Sequence, residues 1–129
     1  MKVGFSGTRE GMSVEQLDQL GFVLACLGRQ GMNQTSRPTH EFHYGTHETV
    51  DLKADRAAAN LAHRYGWKVV PHHAVRGTEL KRDREMVAVV DILIAAPSTD
   101  KEEQRSGTWA TVRYMRALRR PVVHLSRGK

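Results

Sequence analysis

The chain has 129 residues, 40% of them hydrophobic, and a formal net charge of +6. That length suits one domain with one core, and that composition excludes a disordered or fibrous chain. No apolar run approaches the roughly 20 residues of a membrane span, and the start Met1-Lys2-Val3-Gly4-Phe5 turns polar and glycine-rich before a signal-peptide core forms.

The lone cysteine, Cys26, lies in an apolar helical stretch and is expected in the core. It has no partner for an internal disulfide, and a lone buried thiol fits a reducing compartment, so the expected location is the cytoplasm. The charge is one-sided. Residues 1–100 hold 12 basic and 12 acidic side chains, whereas residues 101–129 hold eight basic and two acidic ones. Such a patch either attracts a nucleotide or nucleic-acid backbone or is a solvated helix face.

In chain order, Lys2–Ser6 reads as a short strand entering the turn Gly7-Thr8-Arg9-Glu10-Gly11. Ser13-Val14-Glu15-Gln16 has the form of a capping box. The helix after it carries Leu17, Leu20, Leu24 and Leu27 at helical spacing and stops near Gly28 or Gly31. Its second half is apolar on nearly every side, which suggests contact with another subunit, and a homodimer is the expected state. Residues 29–38 read as a loop, residues 39–44 as a polar second strand, and residues 51–65 as an alanine-rich helix stopped by Gly66. Trp67-Lys68-Val69-Val70 is a third strand ending at Pro71, followed by a loop over 72–78 and a helix from about Leu80 to Val90. Residues 91–96 are apolar without alternation, as in a central strand covered on both faces. Ser106-Gly107-Thr108 opens the last helix, and residues 121–125 close the sheet. Alternating strands and helices with right-handed crossovers predict an α/β fold, a doubly wound, five-stranded parallel sheet in the order 3-2-1-4-5.

Ligands of such a sheet sit outside the carboxyl ends of the strands, where the order reverses. Three polar clusters fall there: Ser6-Gly7-Thr8-Arg9, Gly45-Thr46-His47, and Arg105-Ser106-Gly107-Thr108. A Gly-Thr pair at a helix start offers backbone N–H groups and a hydroxyl to an anion, and Arg9, Arg82 and Arg105 supply planar donors for phosphate oxygens. A tight turn at Gly7 and a plain helix cap at Ser106 are the bland alternatives. His72 or His73, at the end of the third strand, is expected to line the pocket. Zinc is disfavoured, because His40 and His43 are an odd number apart in a strand and no H-E-x-x-H or Cys/His pattern is present. Nothing calls for a cofactor. Trp109 and Tyr114 either stack on a base or belong to the core.

Together these motifs resemble the SLOG superfamily, named from the Smf/DprA and LOG proteins, and especially its stand-alone YspA-like branch. The likeness covers nearly the whole chain. It is carried by Gly4-Phe5-Ser6-Gly7-Thr8-Arg9-Glu10-Gly11-Met12, by Lys81-Arg82-Asp83, by Asp91-Ile92-Leu93-Ile94-Ala95, and most closely by the run from Arg105 to Tyr114. In the middle, Tyr44-Gly45-Thr46-His47-Glu48-Thr49-Val50-Asp51 stands where the branch has His-Gly-Asp-Cys-x-Gly-Ala-Asp; Gly45 and Asp51 match, and Thr46 and Thr49 do not.

The resemblance implies a Rossmann-like fold that binds nucleotides or their derivatives. LOG enzymes cleave the base from a nucleoside monophosphate with an arginine, matched by Arg82, and a glutamate, whose position holds Thr111. Threonine cannot stabilise a developing sugar cation or activate water, so an N-glycosidase would need a relocated acid such as Asp51 or Glu48. Binding without turnover is the favoured expectation: a sensor of a cyclic or ADP-ribose-type nucleotide, or a phage sponge against Thoeris or CBASS defence. A single-stranded nucleic-acid binder like DprA ranks last.

Overall fold

Strands and helices alternate through residues 1–31 and 40–128, the part of the chain that the computed structural model describes. The elements are β1 (Lys2–Gly7), α1 (Val14–Gly31), β2 (Glu41–His47), α2 (Lys53–Arg64), β3 (Lys68–Ala74), α3 (Glu79–Val89), β4 (Ile92–Ala96), α4 (Gly107–Ala117) and β5 (Val122–His124). All strand pairs are parallel and the order is β3-β2-β1-β4-β5, a Rossmann-like α/β sheet as the alternation predicts.

The crossovers place two helices on each face. Leu20 and Leu24 of α1 and Ala54, Ala58 and Ala62 of α2 pack on Val3, Phe5, Phe42 and Ile94. On the other face Met86 and Val87 of α3 and Trp109, Val112 and Met115 of α4 pack on Leu93 and Ala95. The small alanine side chains bring α2 close to the sheet. At Gly7 the approach is closest, since a Cβ there would lie 2.6 Å from the Ala54 Cβ.

The capping box forms. The Ser13 N–H donates to Gln16 Oε1 and the Gln16 N–H to Ser13 Oγ, each at 3.1 Å. Gln16 does more than the box requires: fully buried, its amide donates to the carbonyls of Pro97 and Leu125 and ties α1 to the ends of β4 and β5. Gly66, at φ +84°, ends α2 in a conformation that costs a glycine little.

Four expectations need correction. β2 continues through Gly45, Thr46 and His47, which the sequence places in a turn, and β3 through His72 and His73, which it places in a loop. Both extensions are polar and are held by cross-strand side-chain bonds, His43 Nδ1 to His72 Nε2 at 2.7 Å and Thr46 Oγ1 to His73 Nδ1 at 3.0 Å. Pro71 is tolerated inside β3 because β3 is an edge strand. Cys26 is exposed, not core, since the buried stripe of α1 runs Gln16, Leu20, Leu24 and leaves residue 26 on another face. Residues 29–31 belong to α1, and the rest of the expected loop, with Thr39, lies outside the described residues.

Candidate functional site

A cleft of about 410 Å³ opens at the carboxyl ends of β1, β2 and β4, where the strand order reverses. Ser6, Gly7, Thr8, Arg9, His47, Arg82, Arg105, Ser106, Gly107 and Thr108, all singled out in the sequence, line it together. The turn after β1 and the start of α4 lie about a hundred residues apart in the chain and meet because β1 and β4 are hydrogen-bonded neighbours.

The α4 wall is a built helix start. Ser106 is the N-cap, its Oγ accepting from the Trp109 N–H at 3.3 Å. Thr108, in the first turn, is only 5% exposed. Facing it, Ser6 is 9% exposed. Among the described residues neither hydroxyl has a hydrogen-bond partner, and both residues line the cleft.

The floor is Asp55, Arg82 and Asp83. Asp55, near the start of α2, is buried and accepts from the Gly45 N–H at 2.9 Å. Burial pushes its pKa up to about 7, against the opposing pull of the Gly45 N–H and the Arg82 guanidinium. Arg82 Nε donates to Asp83 Oδ1 at 2.7 Å and its Nη1 to the Thr46 carbonyl at 2.8 Å. Asp83 is also raised by burial, with Arg82 and then the Thr111 hydroxyl working the other way. Asp55 and Asp83 are the site residues that sequence reading missed. Asp55 is the single acid of α2 and Asp83 one of three acids on α3, and only the tertiary packing buries them.

His47 stands at the side of the cleft in a defined tautomer. Its Nδ1 accepts from the Thr49 and Val50 N–H groups, both at 3.2 Å, so Nε2 carries the proton and donates to Glu79 Oε1 at 3.1 Å. His47 also borders a second, more open cavity of about 490 Å³, lined by Gly45, Thr46 and Asp51. Asp51 pairs with Arg56 at 3.0 Å and Glu48 accepts from the Arg76 N–H at 3.1 Å, so neither expected replacement acid reaches the main cleft. His72 does not line the cleft either. Its ring turns to His43, and only its backbone carbonyl meets Arg82, at 3.4 Å.

The chain matches no family model and no curated protein sequence.

Arg113, Arg116 and Arg120 of the carboxy-terminal basic group have partners within the molecule. Arg113 and Arg116 both bind Glu102, at 3.1 and 2.9 Å. Arg120 Nη1 donates to the carbonyls of Val87, Ala88 and Val90, covering the end of α3. Trp109 is a core residue beside His124, with ring centroids 5.4 Å apart, and Tyr114 lies under the Arg84 guanidinium at 4.8 Å. Neither aromatic ring borders the cleft. Among the described residues no group of three or more His, Cys, Asp or Glu side chains could hold a metal ion, and no helix is long and apolar enough to cross a membrane.

Proposed function

We propose that the protein binds a nucleotide-derived small molecule in the cleft between β1 and α4, with the phosphate on Ser106-Gly107-Thr108 and the Gly7–Arg9 turn. The observation that carries this reading is the pair of nearly buried, unpartnered hydroxyls, Ser6 and Thr108, facing the same space as a capped helix N-terminus. Free N–H groups and a helix dipole favour an anion there, and Arg9 and Arg105 add charge at the rim. The ligand class is a cyclic or ADP-ribose-type nucleotide held intact, by a sensor or by a sponge that withdraws a signal from anti-phage defence. The second cavity, sharing His47 and Leu52 with the cleft, supports a ligand larger than a mononucleotide. With Arg113, Arg116 and Arg120 engaged internally, a nucleic-acid backbone is the weaker partner.

The test is to incubate the protein with AMP, NAD, ADP-ribose, its cyclic isomers and cyclic di- and trinucleotides, then denature the bound fraction and chromatograph it. Intact ligand supports a binder, and an empty fraction contradicts the proposal.

A second reading, cleavage of an N-glycosidic bond, is favoured by one observation. Asp55 and Asp83 are buried carboxylates beside Arg82 in the cleft, and an acid whose pKa is raised to about 7 suits protonation of a departing base. They replace Asp51 and Glu48 as the candidates for the missing acid. Free base and sugar phosphate in the same chromatogram would establish it.

A homodimer belongs to the proposal as well. Phe22, on α1, is 72% exposed next to the β5 edge. Sedimentation should give a dimer that Phe22→Ser weakens, and a monomer at micromolar concentration would exclude it.

A further inference from the structure

The cleft proposed to take an anion is short of positive charge at its floor. Asp55 and Asp83 are 6% and 8% exposed. Among the described residues that line the cleft, Arg82 is the one arginine that is not exposed, and it is already committed, Nε to Asp83 at 2.7 Å and Nη1 to the Thr46 carbonyl at 2.8 Å. Arg9 and Arg105 are exposed, as are the acids Glu10 and Glu103, and water and salt screen all four. Two nearly buried carboxylates therefore share one nearly buried guanidinium.

Asp55, from α2, meets the Gly45 N–H of β2 at 2.9 Å and the Gly7 N–H of β1, and feels the charges of Arg82 and Asp83 on α3. Asp83 meets Arg82 and Glu79 of its own helix and the Thr111 hydroxyl of α4. His47, at the side of the cleft, spends both ring nitrogens on Glu79 and on the Thr49 and Val50 N–H groups. A phosphate set on the Gly7–Arg9 turn and Ser106–Thr108 adds negative charge to this space. Negative charge beside a desolvated carboxylate favours its protonated form. We propose that the cleft takes up a proton together with its anion, the Asp55–Asp83 pair gaining one proton from solvent on binding, so that the site loads as pH falls and releases as pH rises. The inference rests on the nucleotide reading above and adds a proton to what the site binds. Burial already brings Asp55 to about 7, so a further rise places the gate just above neutral pH. Below the gate the proton is in place before the anion arrives; across it, affinity falls by about tenfold per pH unit.

The probe is sulfate, whose own charge stays constant over the range tested. The Asp55 side-chain carboxyl carbon of the wild-type chain is followed by NMR through a pH titration, with and without sulfate at constant ionic strength. Amide shifts at Gly107 and Thr108 report binding. With sulfate the Asp55 midpoint is expected to rise by about one pH unit, equivalent to about a tenfold gain in sulfate affinity from the basic to the acidic side. Asp55→Asn should bind sulfate with a flat profile through the same range. A midpoint that sulfate leaves unmoved, while Gly107 and Thr108 respond, overturns this inference and leaves the nucleotide reading standing. So does a profile as steep in Asp55→Asn as in the wild type. If sulfate shifts no cleft amide at any pH, the phosphate site fails and the inference falls with it. The first comparison is made on the wild type alone, so a variant that does not fold leaves the result readable.

Discussion

The Arg82 guanidinium lies where a side chain at Gly45 would be: a Cβ built on Gly45 falls 2.8 Å from Nη1 and 2.9 Å from Cζ. The guanidinium cannot step aside cheaply, since Asp83 and the Thr46 carbonyl hold it at 2.7 and 2.8 Å. Gly45→Ala is therefore expected to displace Arg82, break the floor of the cleft and destabilise the fold by about 1–3 kcal/mol. Urea denaturation with a ligand titration checks both effects. An alanine that leaves stability and binding unchanged would show that Arg82 has other places to sit.

Asp55 gives a pH dependence with a definite sign. Its folded pKa, about 7, lies above the ordinary 3.8. Between those values the folded chain holds a proton that the unfolded chain has released, so this group stabilises the fold at low pH and loses that contribution as pH rises through 7. Three histidines oppose it. His40, His72 and His124 are lowered, first by partial desolvation, so each costs stability as pH falls below 6.5. Asp55→Asn isolates the acid. Its stability relative to wild type should be most favourable above pH 7 and should fall by a few kcal/mol toward pH 4.5. Parallel curves for the two proteins would contradict the assignment.

Gln16 and Arg120 are the polar ties of the fold. Gln16 is fully buried and donates to two carbonyls, and Gln16→Leu would leave both without their donor, at a cost of about 2–3 kcal/mol. Arg120→Ala should uncover the end of α3 and cost about 1–2 kcal/mol. Thermal melts rank the two, and Gln16 is expected to be the worse loss.

The strand order and the helix faces were legible in the sequence because they rest on apolar patterning, as in the unbroken run Ile92–Ala96 and the leucines of α1. The far ends of β2 and β3 were not. His43, Thr46, His72 and His73 hold those strands together through side-chain bonds, which leave no hydrophobic period to read. In the site, the Gly7-Thr8 and Gly107-Thr108 pairs were visible as motifs, and the sheet topology brings these two together, while Gly45-Thr46 stays within β2 at the second cavity. Asp55 was not visible: on a helix of alanines and polar residues an acid reads as solvated, and only contact with Gly45, ten residues back in the chain, buries it. The basic tail left two readings open. Arg113, Arg116 and Arg120 read equally as a patch for anions or as a solvated helix face, and each has a partner within the molecule.

The most direct test of the central claim is to map backbone amide shifts while titrating the protein with the nucleotide recovered from the binding panel. The account predicts saturable changes confined to Gly7–Arg9, Ser106–Thr108 and the Gly45–Asp55 contact, the three parts that meet at the cleft. Shifts spread over Arg113 and Arg116 of α4 and Arg119 beyond its end, with the cleft silent, would contradict it.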